Sequence, residues 1–191
     1  MDIFPQFSSH IFQLKINKNT DELKNEQSYV TYERDTMDFN ILKKYPEISK
    51  DFLDIFNDIG KNYFHYTNNY RITTSWITKI NPNEHAEWHN HKNSFYSGIY
   101  YYGEYDDLSG KLLFANPLLD VMDFSLKSSK SSMANCQCFE LKPEKNKLIY
   151  FPSYLRHKIK LHKGDTVRYS LAFNIIPIGD IGYYDSFVDG K

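Results

Sequence analysis

The segment EWHNHKNSFYSGIYYY, residues 87–102, places two histidines, His89 and His91, two positions apart in front of a β-prone run. Side chains at positions i and i+2 of a strand point to the same face of a sheet. Both imidazoles would then be directed at one spot, and imidazole is the commonest protein ligand for metal ions. The spacing therefore predicts a metal site, and His85 would share its face if the strand already runs that far.

A third ligand has to come from elsewhere in the chain, and His157 is the candidate. It ends the segment LIYFPSYLRH, in which an apolar strand stops at Phe151-Pro152 and a short turn delivers the histidine. In a small barrel, strands that are far apart in the chain meet across a narrow interior. The three remaining histidines read as structural or surface residues: His10, His65 and His162.

Arg168 and Ser170 follow His157 on the next predicted strand, beyond a turn at HKGD that would bring Arg168 back beside the metal. An arginine that points into a barrel is costly unless it meets an anion, and its planar fork suits a carboxylate. That carboxylate belongs either to a bound ligand or to an internal Asp or Glu. A metal beside a bound dicarboxylate is the arrangement of an iron enzyme that uses 2-oxoglutarate, with one iron position open for dioxygen.

The elements that would position these residues are mostly strands. HIFQLKI, residues 10–16, alternates as a strand does, and the stripe of Phe52, Ile55, Phe56, Ile59 and Tyr63 predicts a helix. Pro46 would separate that helix from a shorter one before it, and Gly60 weakens it. From residue 70 the period becomes two, and a common buried face is predicted for four residues of the next strand: Tyr70, Ile72, Trp76 and Ile80.

Six further short β-prone segments follow, each bounded by Gly, Pro, Asn or Asp. The order predicts a mainly β protein with N-terminal helices, an α+β chain whose core is a jelly-roll barrel. The 191 residues fit one domain, with a strand and supporting helices in 1–69 and the barrel in 70–182. The Ser- and Lys-rich segment 125–135 predicts a mobile surface loop or a lid.

Composition limits the partners. The net charge is −1 and no basic run is present, which argues against nucleic-acid binding. No apolar run is long enough for a membrane span, and the first residues do not have the pattern of a signal peptide. The two cysteines, Cys136 and Cys138, fit reduced thiols. We therefore expect a cytoplasmic protein.

Four segments together resemble the 2-oxoglutarate- and iron(II)-dependent oxygenases, relatives of prolyl 4-hydroxylase of the type encoded by phages of marine bacteria. They are HNHKNSFYSGIYYY, GKLLFANP, NKLIYFPSYLRHKI and VRYSLAFNIIPIG, and the resemblance spans residues 70–182. It implies the double-stranded β-helix, a cupin-like jelly roll, and iron(II) and 2-oxoglutarate as cofactor and co-substrate. In a phage-encoded protein the compartment would be the host cytoplasm.

The resemblance also implies roles for individual residues. His89 would be the first iron ligand and His157 the last, and Arg168 would bind the distal carboxylate of 2-oxoglutarate with Ser170 nearby. Tyr100 stands where a tyrosine of the prolyl hydroxylase branch reaches the same carboxylate, although it could equally be a core residue. On the strand of Arg168, Asn174 would face the substrate or the open side of the iron.

One departure from the wider superfamily concerns the third ligand. Most members have H-x-D or H-x-E, a two-histidine, one-carboxylate triad, whereas this chain has His91 at the last position. Three outcomes stay open: His91 binds iron itself, Glu87 supplies the carboxylate, or water fills the position.

The first functional hypothesis is a dioxygenase that converts 2-oxoglutarate to succinate and CO2 while it hydroxylates a peptidyl residue such as proline, or a small metabolite. Aromatic residues would line its cleft, with five candidates: Trp76, Trp88, Tyr96, Tyr100 and Tyr102. The alternatives are a cupin-like three-histidine metalloprotein that does not use 2-oxoglutarate and a metal-free interaction protein. The usual cupin glutamate is missing, because Phe95 and Tyr96 stand at its position.

Overall fold

The structure is a computed structural model and describes residues 8–26, 38–118, 126–132 and 135–190. Within these ranges the chain forms nine strands and three α-helices. The strands are β1 (Phe12–Lys15), β2 (Asn69–Ile80), β3 (Ala86–His89), β4 (Tyr96–Tyr101), β5 (Leu112–Ala115), β6 (Cys138–Leu141), β7 (Lys147–Pro152), β8 (His157–Ile159) and β9 (Arg168–Ile178). The helices are α1 (Asp21–Lys24), α2 (Ile41–Lys44) and α3 (Pro46–Asp58), and a π-helical turn (Ile59–Tyr63) extends α3.

The strands assemble into two antiparallel sheets. The large sheet has the order β1-β7-β4-β9-β2 and the small sheet the order β3-β8-β5-β6. From β2 to β5, and again from β6 to β9, the chain passes from one sheet to the other with every strand. This is the predicted double-stranded β-helix, or jelly roll. The predicted barrel is not closed, because in the described residues each sheet ends in its own edge strands and none pairs with the other sheet.

The helices pack on one face of the large sheet. Pro46 begins α3, where a missing backbone N–H costs nothing, and Phe52 and Phe56 are fully buried from its apolar stripe. The regular helix ends at Asp58, and the π-helical turn places Gly60 against the ring of Tyr70. A Cβ at position 60 would lie 2.6 Å from that ring, so the close approach of helix and strand requires glycine here.

Two apolar cores follow from this layering. The core between the helices and the large sheet comprises Leu23, Ile41, Leu42, Ile48, Phe52, Phe56, Tyr70, Ile77, Tyr96, Tyr100, Tyr102, Leu148, Tyr150, Leu171, Phe173 and Ile175. The core between the two sheets comprises Ile99, Tyr101, Leu112, Phe114, Leu141, Ile149, Phe151, Leu155 and Ala172. Neighbouring residues of β4 and β7 thus belong to different cores, as the strand alternation requires.

A β-bulge in β2 changes which of its side chains face the helices. The register against β9 shifts between Ile72 and Thr74. Tyr70 and Ile72 therefore pack toward the helices, whereas Trp76 packs against the core between the sheets. The prediction that Trp76 shares a face with Tyr70 and Ile72 is therefore wrong, because the residue inserted at the bulge reverses which face of the sheet the following side chains occupy.

The predicted loop at 125–135 lies partly outside the described residues. Its described part, residues 126–132 and 135, forms neither helix nor strand.

Candidate active site

The first and last candidate metal ligands are direct partners in the small sheet. His89 lies opposite His157 in the antiparallel pair of β3 and β8, and their ring centroids are 4.3 Å apart. Residues opposite each other in such a pair have neighbouring Cβ atoms. The register of the sheet alone therefore brings together two histidines that are far apart in the chain.

His91 reaches the same spot from a loop. Strand β3 ends at His89, and the backbone N–H of His91 donates to the carbonyl of Ser153 at 3.0 Å. Its ring centroid lies 5.3 Å from that of His89 and 5.1 Å from that of His157. The strand alternation that motivated the prediction is thus not what positions His91, although the three histidines are brought together as predicted.

The three histidines form a group that can hold a metal ion. Their candidate ligand atoms all lie within 4.8 Å of one another. In the described part of the chain no other group of three His, Cys, Asp or Glu residues could hold a metal ion in this way. Nδ1 of His89 lies 2.7 Å from the carbonyl oxygen of Glu87, and Nδ1 of His157 lies 2.9 Å from that of Leu155. A carbonyl oxygen only accepts, so Nδ1 carries the proton in both rings and Nε2 keeps its lone pair for a metal.

Burial keeps two of the rings neutral. It lowers the pKa of His91 to about 4 and that of His157 to about 3, and the nearby His89 adds to both shifts. A metal ion requires unprotonated imidazole, so both rings are in the form that binds metal at neutral pH.

Glu87 does not join the group of three histidines. Its carboxylate is largely exposed and pairs with Nε2 of His85 at 2.7 Å. The hydrogen bond to His85 lowers the pKa of Glu87. His85 precedes β3 and does not join the metal-binding group, so neither residue is placed to contribute a ligand in this conformation.

Arg168 is 1% exposed, and in the described residues it forms no ion pair with a carboxylate. Its Nε donates to the carbonyl of Gly110 at 2.9 Å, and Nη1 donates to the hydroxyl of Ser170 at 3.4 Å. Nη2 donates to the hydroxyl of Tyr101 at 3.2 Å, and the guanidinium lies 5.1 Å from the centroid of that ring. All three acceptors are neutral. A guanidinium carries five N–H groups, so two remain to bind an anion.

Arg168 and the histidines share the space between the two sheets. The ring of Phe151, a member of the core between the sheets, lies 4.8 Å from that of His157 and 6.4 Å from that of His91. Tyr101, which contacts Arg168, belongs to the same core. A buried cation without a counter-charge is unfavourable, and an anion bound between the sheets would compensate it.

The predicted contact of Tyr100 with this anion is not seen. Tyr100 is buried toward the helices, where its hydroxyl donates to Asn146 at 3.1 Å. The residue that faces Arg168 is Tyr101, because successive side chains of β4 point to opposite faces. The strand alternation gives Tyr101 the face of Ser97 and Ile99, but the sequence does not indicate which face lies between the sheets.

Most of the predicted aromatic lining belongs to other surfaces. Tyr96 and Tyr102 lie with Tyr100 in the core on the helix side. Trp88 lines a cleft on the outer face of the small sheet, where Arg156 lies over its ring. Trp76 is the exception, because its ring lies 5.4 Å from that of His91.

A chain of hydroxyl and amide groups lies next to His91. Ser97 donates to Oδ1 of Asn174 at 2.8 Å and lies 2.8 Å from the hydroxyl of Ser153, whose carbonyl binds His91. Asn174 Nδ2 donates to Thr74 at 3.0 Å. Asn174 thus faces the space between the sheets, and no local pattern indicates its partners because Ser97 and Thr74 come from two other strands.

The sequence itself matches a known family. A sequence model of the family described as "Putative 2OG-Fe(II) oxygenase" matches residues 74–174, which include the three histidines and Arg168. The match covers more than half of the chain, and the protein belongs to this family of 2-oxoglutarate- and iron(II)-dependent oxygenases. The predicted cofactor pair is confirmed at the level of the family. No curated protein sequence matches the chain.

Solved structures show the same fold. HygX from Streptomyces hygroscopicus with iron bound superposes with a TM-score of 0.57 at 8% identity, over 88% of this chain and 83% of HygX. HygX has also been crystallised with nickel and 2-oxoglutarate bound. A Pseudomonas putida prolyl-4-hydroxylase gives a TM-score of 0.50 at 12% identity, over 72% of this chain and 68% of that one.

The chain spans 54% of the length of an oxidoreductase of the 2OG-Fe(II) oxygenase family from Burkholderia pseudomallei, at 14% identity and a TM-score of 0.47.

Among the described residues, no helix is both long and apolar enough to cross a membrane.

Proposed function

We propose that the protein is a dioxygenase that hydroxylates its substrate while 2-oxoglutarate is converted to succinate and CO2. One observation carries this proposal: Arg168 is buried between the sheets with no carboxylate partner among the described residues, in the same space as three histidines that can share a metal ion. The three imidazole nitrogens are suitable ligands for iron(II). The two remaining N–H groups of Arg168 fit one carboxylate of a dicarboxylic acid.

In this proposal His89, His91 and His157 hold the iron, which when bound would supply the activation of dioxygen. Arg168 holds the distal carboxylate of 2-oxoglutarate, with Ser170 and Tyr101 fixing the plane of the guanidinium. Three neutral imidazoles leave the charge of a divalent ion uncompensated, which favours binding of the dianionic co-substrate. The apolar residues around Phe151 exclude water from the space between metal and arginine.

The substrate that we propose to test first is a peptidyl residue such as proline, followed by small metabolites. The fold shared with a bacterial prolyl-4-hydroxylase supports that order. We further propose that residues 70–182 form the oxygenase core with residues 1–69 as support, and that the protein acts in the cytoplasm, which would be that of the host if a phage encodes it. Both cysteines are thiols in the structure, as a reducing compartment would allow.

The alternative is a three-histidine metalloprotein of the cupin type that does not use 2-oxoglutarate. The absence of a carboxylate from the metal-binding group of the described residues favours it. It leaves the buried charge of Arg168 without a role.

The two functions separate in an anaerobic titration. Iron(II) and then 2-oxoglutarate are added to metal-stripped protein, and the weak visible absorption band of an iron-chelated 2-oxo acid is recorded. The wild type should show the band, and Arg168→Met should require far more 2-oxoglutarate to produce it. Methionine keeps much of the volume but removes the charge and the hydrogen bonds to Gly110, Ser170 and Tyr101, so urea unfolding of the variant has to show that it is folded.

Iron binding without the band would support the cupin-type alternative. An unchanged band in Arg168→Met would show that Arg168 does not bind the co-substrate. Release of succinate with candidate peptides and metabolites would then identify the substrate.

A further inference from the structure

A second buried histidine, His162, lies outside the metal-binding group. It is fully buried, and both of its ring nitrogens are engaged. The backbone N–H of Gly110 donates to Nδ1 at 3.3 Å, and Nε2 bonds with the carbonyl oxygen of Thr166. The sequence predicts only a structural or surface residue here.

The partners fix the protonation of this ring. An amide N–H can only donate, so Nδ1 of His162 must be unprotonated, and a carbonyl only accepts, so Nε2 must carry the proton. This tautomer is the opposite of the one that His89 and His157 adopt. His162 is therefore a neutral ring whose lone pair is used by a backbone amide rather than by a metal.

Gly110 connects His162 to Arg168. Its N–H is held by His162, and its carbonyl accepts the 2.9 Å hydrogen bond from Nε of Arg168. A Cβ at position 110 would lie 2.4 Å from the carbonyl oxygen of Lys160, so the segment packs too closely for any other residue. The position of this glycine thus depends on the ring of His162 on one side and on β8 and its continuation on the other.

The backbone of His162 is itself anchored. Its N–H donates to the carbonyl of Glu84 at 2.9 Å, and its carbonyl accepts from Asn83 at 2.7 Å. The ring is therefore fixed from the turn between β2 and β3. A fixed acceptor at Nδ1 restricts how far the Gly110 segment can shift.

We infer that His162 is a positioning residue for the co-substrate: through Gly110 it fixes the carbonyl that orients the guanidinium of Arg168. The inference rests on the proposed role of Arg168 in binding 2-oxoglutarate. In the described residues the ring bonds with Gly110 and Thr166 and not with the three histidines or Arg168, so its removal should weaken 2-oxoglutarate binding and leave iron binding unchanged.

Two substitutions separate the two bonds of the ring. In His162→Asn the side-chain oxygen can occupy the place of Nδ1 and still accept from Gly110, but the donor to Thr166 is lost. In His162→Gln the side-chain NH2 can occupy the place of Nε2 and keep Thr166, but the acceptor for Gly110 is lost. Both variants remove the buried ring, and Asn, which is one methylene shorter than Gln, leaves the larger space. A greater effect of His162→Gln on 2-oxoglutarate binding therefore cannot come from lost packing.

We expect His162→Gln to raise the 2-oxoglutarate concentration for half-saturation about 2- to 10-fold, the effect of one lost hydrogen bond, and His162→Asn to stay close to the wild type. Iron(II) affinity should be the same in both. Equal effects of the two variants on 2-oxoglutarate, or an equal loss of iron binding, would overturn the inference and make His162 a packing residue.

A second readout does not need the co-substrate. Hydrogen exchange of the Gly110 amide and of Nε–H of Arg168, followed by NMR in metal-free protein, should accelerate in His162→Gln and not in His162→Asn. If the wild type binds no 2-oxoglutarate and this pattern still appears, His162 positions Arg168 through Gly110 as inferred, but the proposed function and the link to the co-substrate fail.

The wild type alone provides a further test where a variant does not fold. Nitrogen-15 shifts of His162 should report an unprotonated Nδ1 and a protonated Nε2. A proton on Nδ1 would overturn the inference.

Discussion

The hydroxyl of Tyr101 lies 3.2 Å from Nη2 of Arg168, on the face of β4 opposite to that of its neighbour Tyr100. Tyr101→Phe removes one neutral acceptor of a buried guanidinium and leaves the ring in place. We expect the 2-oxoglutarate concentration for half-saturation to rise about 2- to 10-fold, the effect of a single hydrogen bond. Titration of the iron-loaded protein with 2-oxoglutarate measures it.

Tyr100→Phe is the matched control, because it removes a hydroxyl that bonds with Asn146 on the other side of the same strand. It should lower the free energy of unfolding by about 1 kcal/mol and leave 2-oxoglutarate binding unchanged. If Tyr100→Phe weakened the co-substrate and Tyr101→Phe did not, the assignment of the two faces would be wrong.

His157→Ala removes the most buried of the three candidate ligands. We expect iron(II) affinity to fall by more than about 100-fold, since loss of a mere outer-shell partner already costs about 10- to 100-fold. Isothermal titration with iron(II) under anaerobic conditions measures the affinity.

Glu87→Gln and His85→Ala test the alternative ligand and its partner. Because the two side chains pair with each other outside the group of three histidines, both variants should bind iron(II) as the wild type does. A large loss of affinity in Glu87→Gln would mean that the carboxylate swings inward and completes the site in place of His91.

The sequence predicts that His89, His91 and His157 meet, as they do in the structure, because each belongs to a local pattern, an H-x-H pair or an apolar strand that ends in a turn. Their meeting is set by the pairing of β3 with β8, which joins residues 68 positions apart, from 89 to 157, and no local pattern encodes that register. Tyr101 and Tyr100 illustrate the limit, since a run of three tyrosines has no internal signal of which one faces the core between the sheets.

The bulge between Ile72 and Thr74 and the tautomer of His162 were not predictable for related reasons. The bulge inserts one residue and so reverses the face on which the following side chains lie. Its neighbours are threonines and a serine, which fit either face of a sheet. The tautomer depends on Gly110 and Thr166, which the fold places beside the ring from different segments. Local patterns predicted the elements, whereas contacts between distant segments decide the details of the site.

The stability of the metal-free protein should depend on the two buried ligands. Their pKa values, about 4 for His91 and about 3 for His157, lie below the value of about 6.5 in an unfolded chain. Below about pH 6.5 the unfolded chain takes up protons at both positions and the folded chain does not. The free energy of unfolding should therefore fall as the pH is lowered from about 6.5 to 4, and above 6.5 these residues should contribute no pH dependence.

Urea unfolding in the presence of a chelator, at several pH values between about 7 and 4.5, checks this dependence. His157→Asn cannot be protonated, so its slope of unfolding free energy against pH should be smaller by up to one proton. The exposed His65→Asn serves as the control. Parallel curves for the wild type and His157→Asn would contradict the neutral, buried state of this ring.

Gly98 allows the large sheet to pack against the helices. A Cβ at this position would lie 2.1 Å from the ring of Phe173, which stacks on Phe52 of α3 at 5.1 Å. Gly98→Ala should lower the free energy of unfolding by about 1–3 kcal/mol, the usual effect of overpacking. The double variant Gly98→Ala/Phe173→Leu should lose less than the sum of the two single variants, because the smaller side chain makes room for the methyl group. Additive losses in urea unfolding would show that the two positions do not compete for the same space.

Ser97 ties the polar chain beside His91 together, since its hydroxyl contacts both Asn174 and Ser153. Ser97→Ala leaves the oxygen of Asn174 and the hydroxyl of Ser153 without this partner in a buried place, and we expect a loss of about 1–3 kcal/mol in the free energy of unfolding. Because the carbonyl of Ser153 also holds the backbone of His91, iron(II) affinity should fall as well, by about tenfold.

Ser94→Ala is the control, since that hydroxyl bonds only with the carbonyls of Tyr96 and Ile175 among the described residues. Chemical unfolding and iron(II) titration of both variants decide the matter: a Ser97→Ala protein that is less stable but binds iron(II) normally would show that the polar chain stabilises the fold without positioning His91.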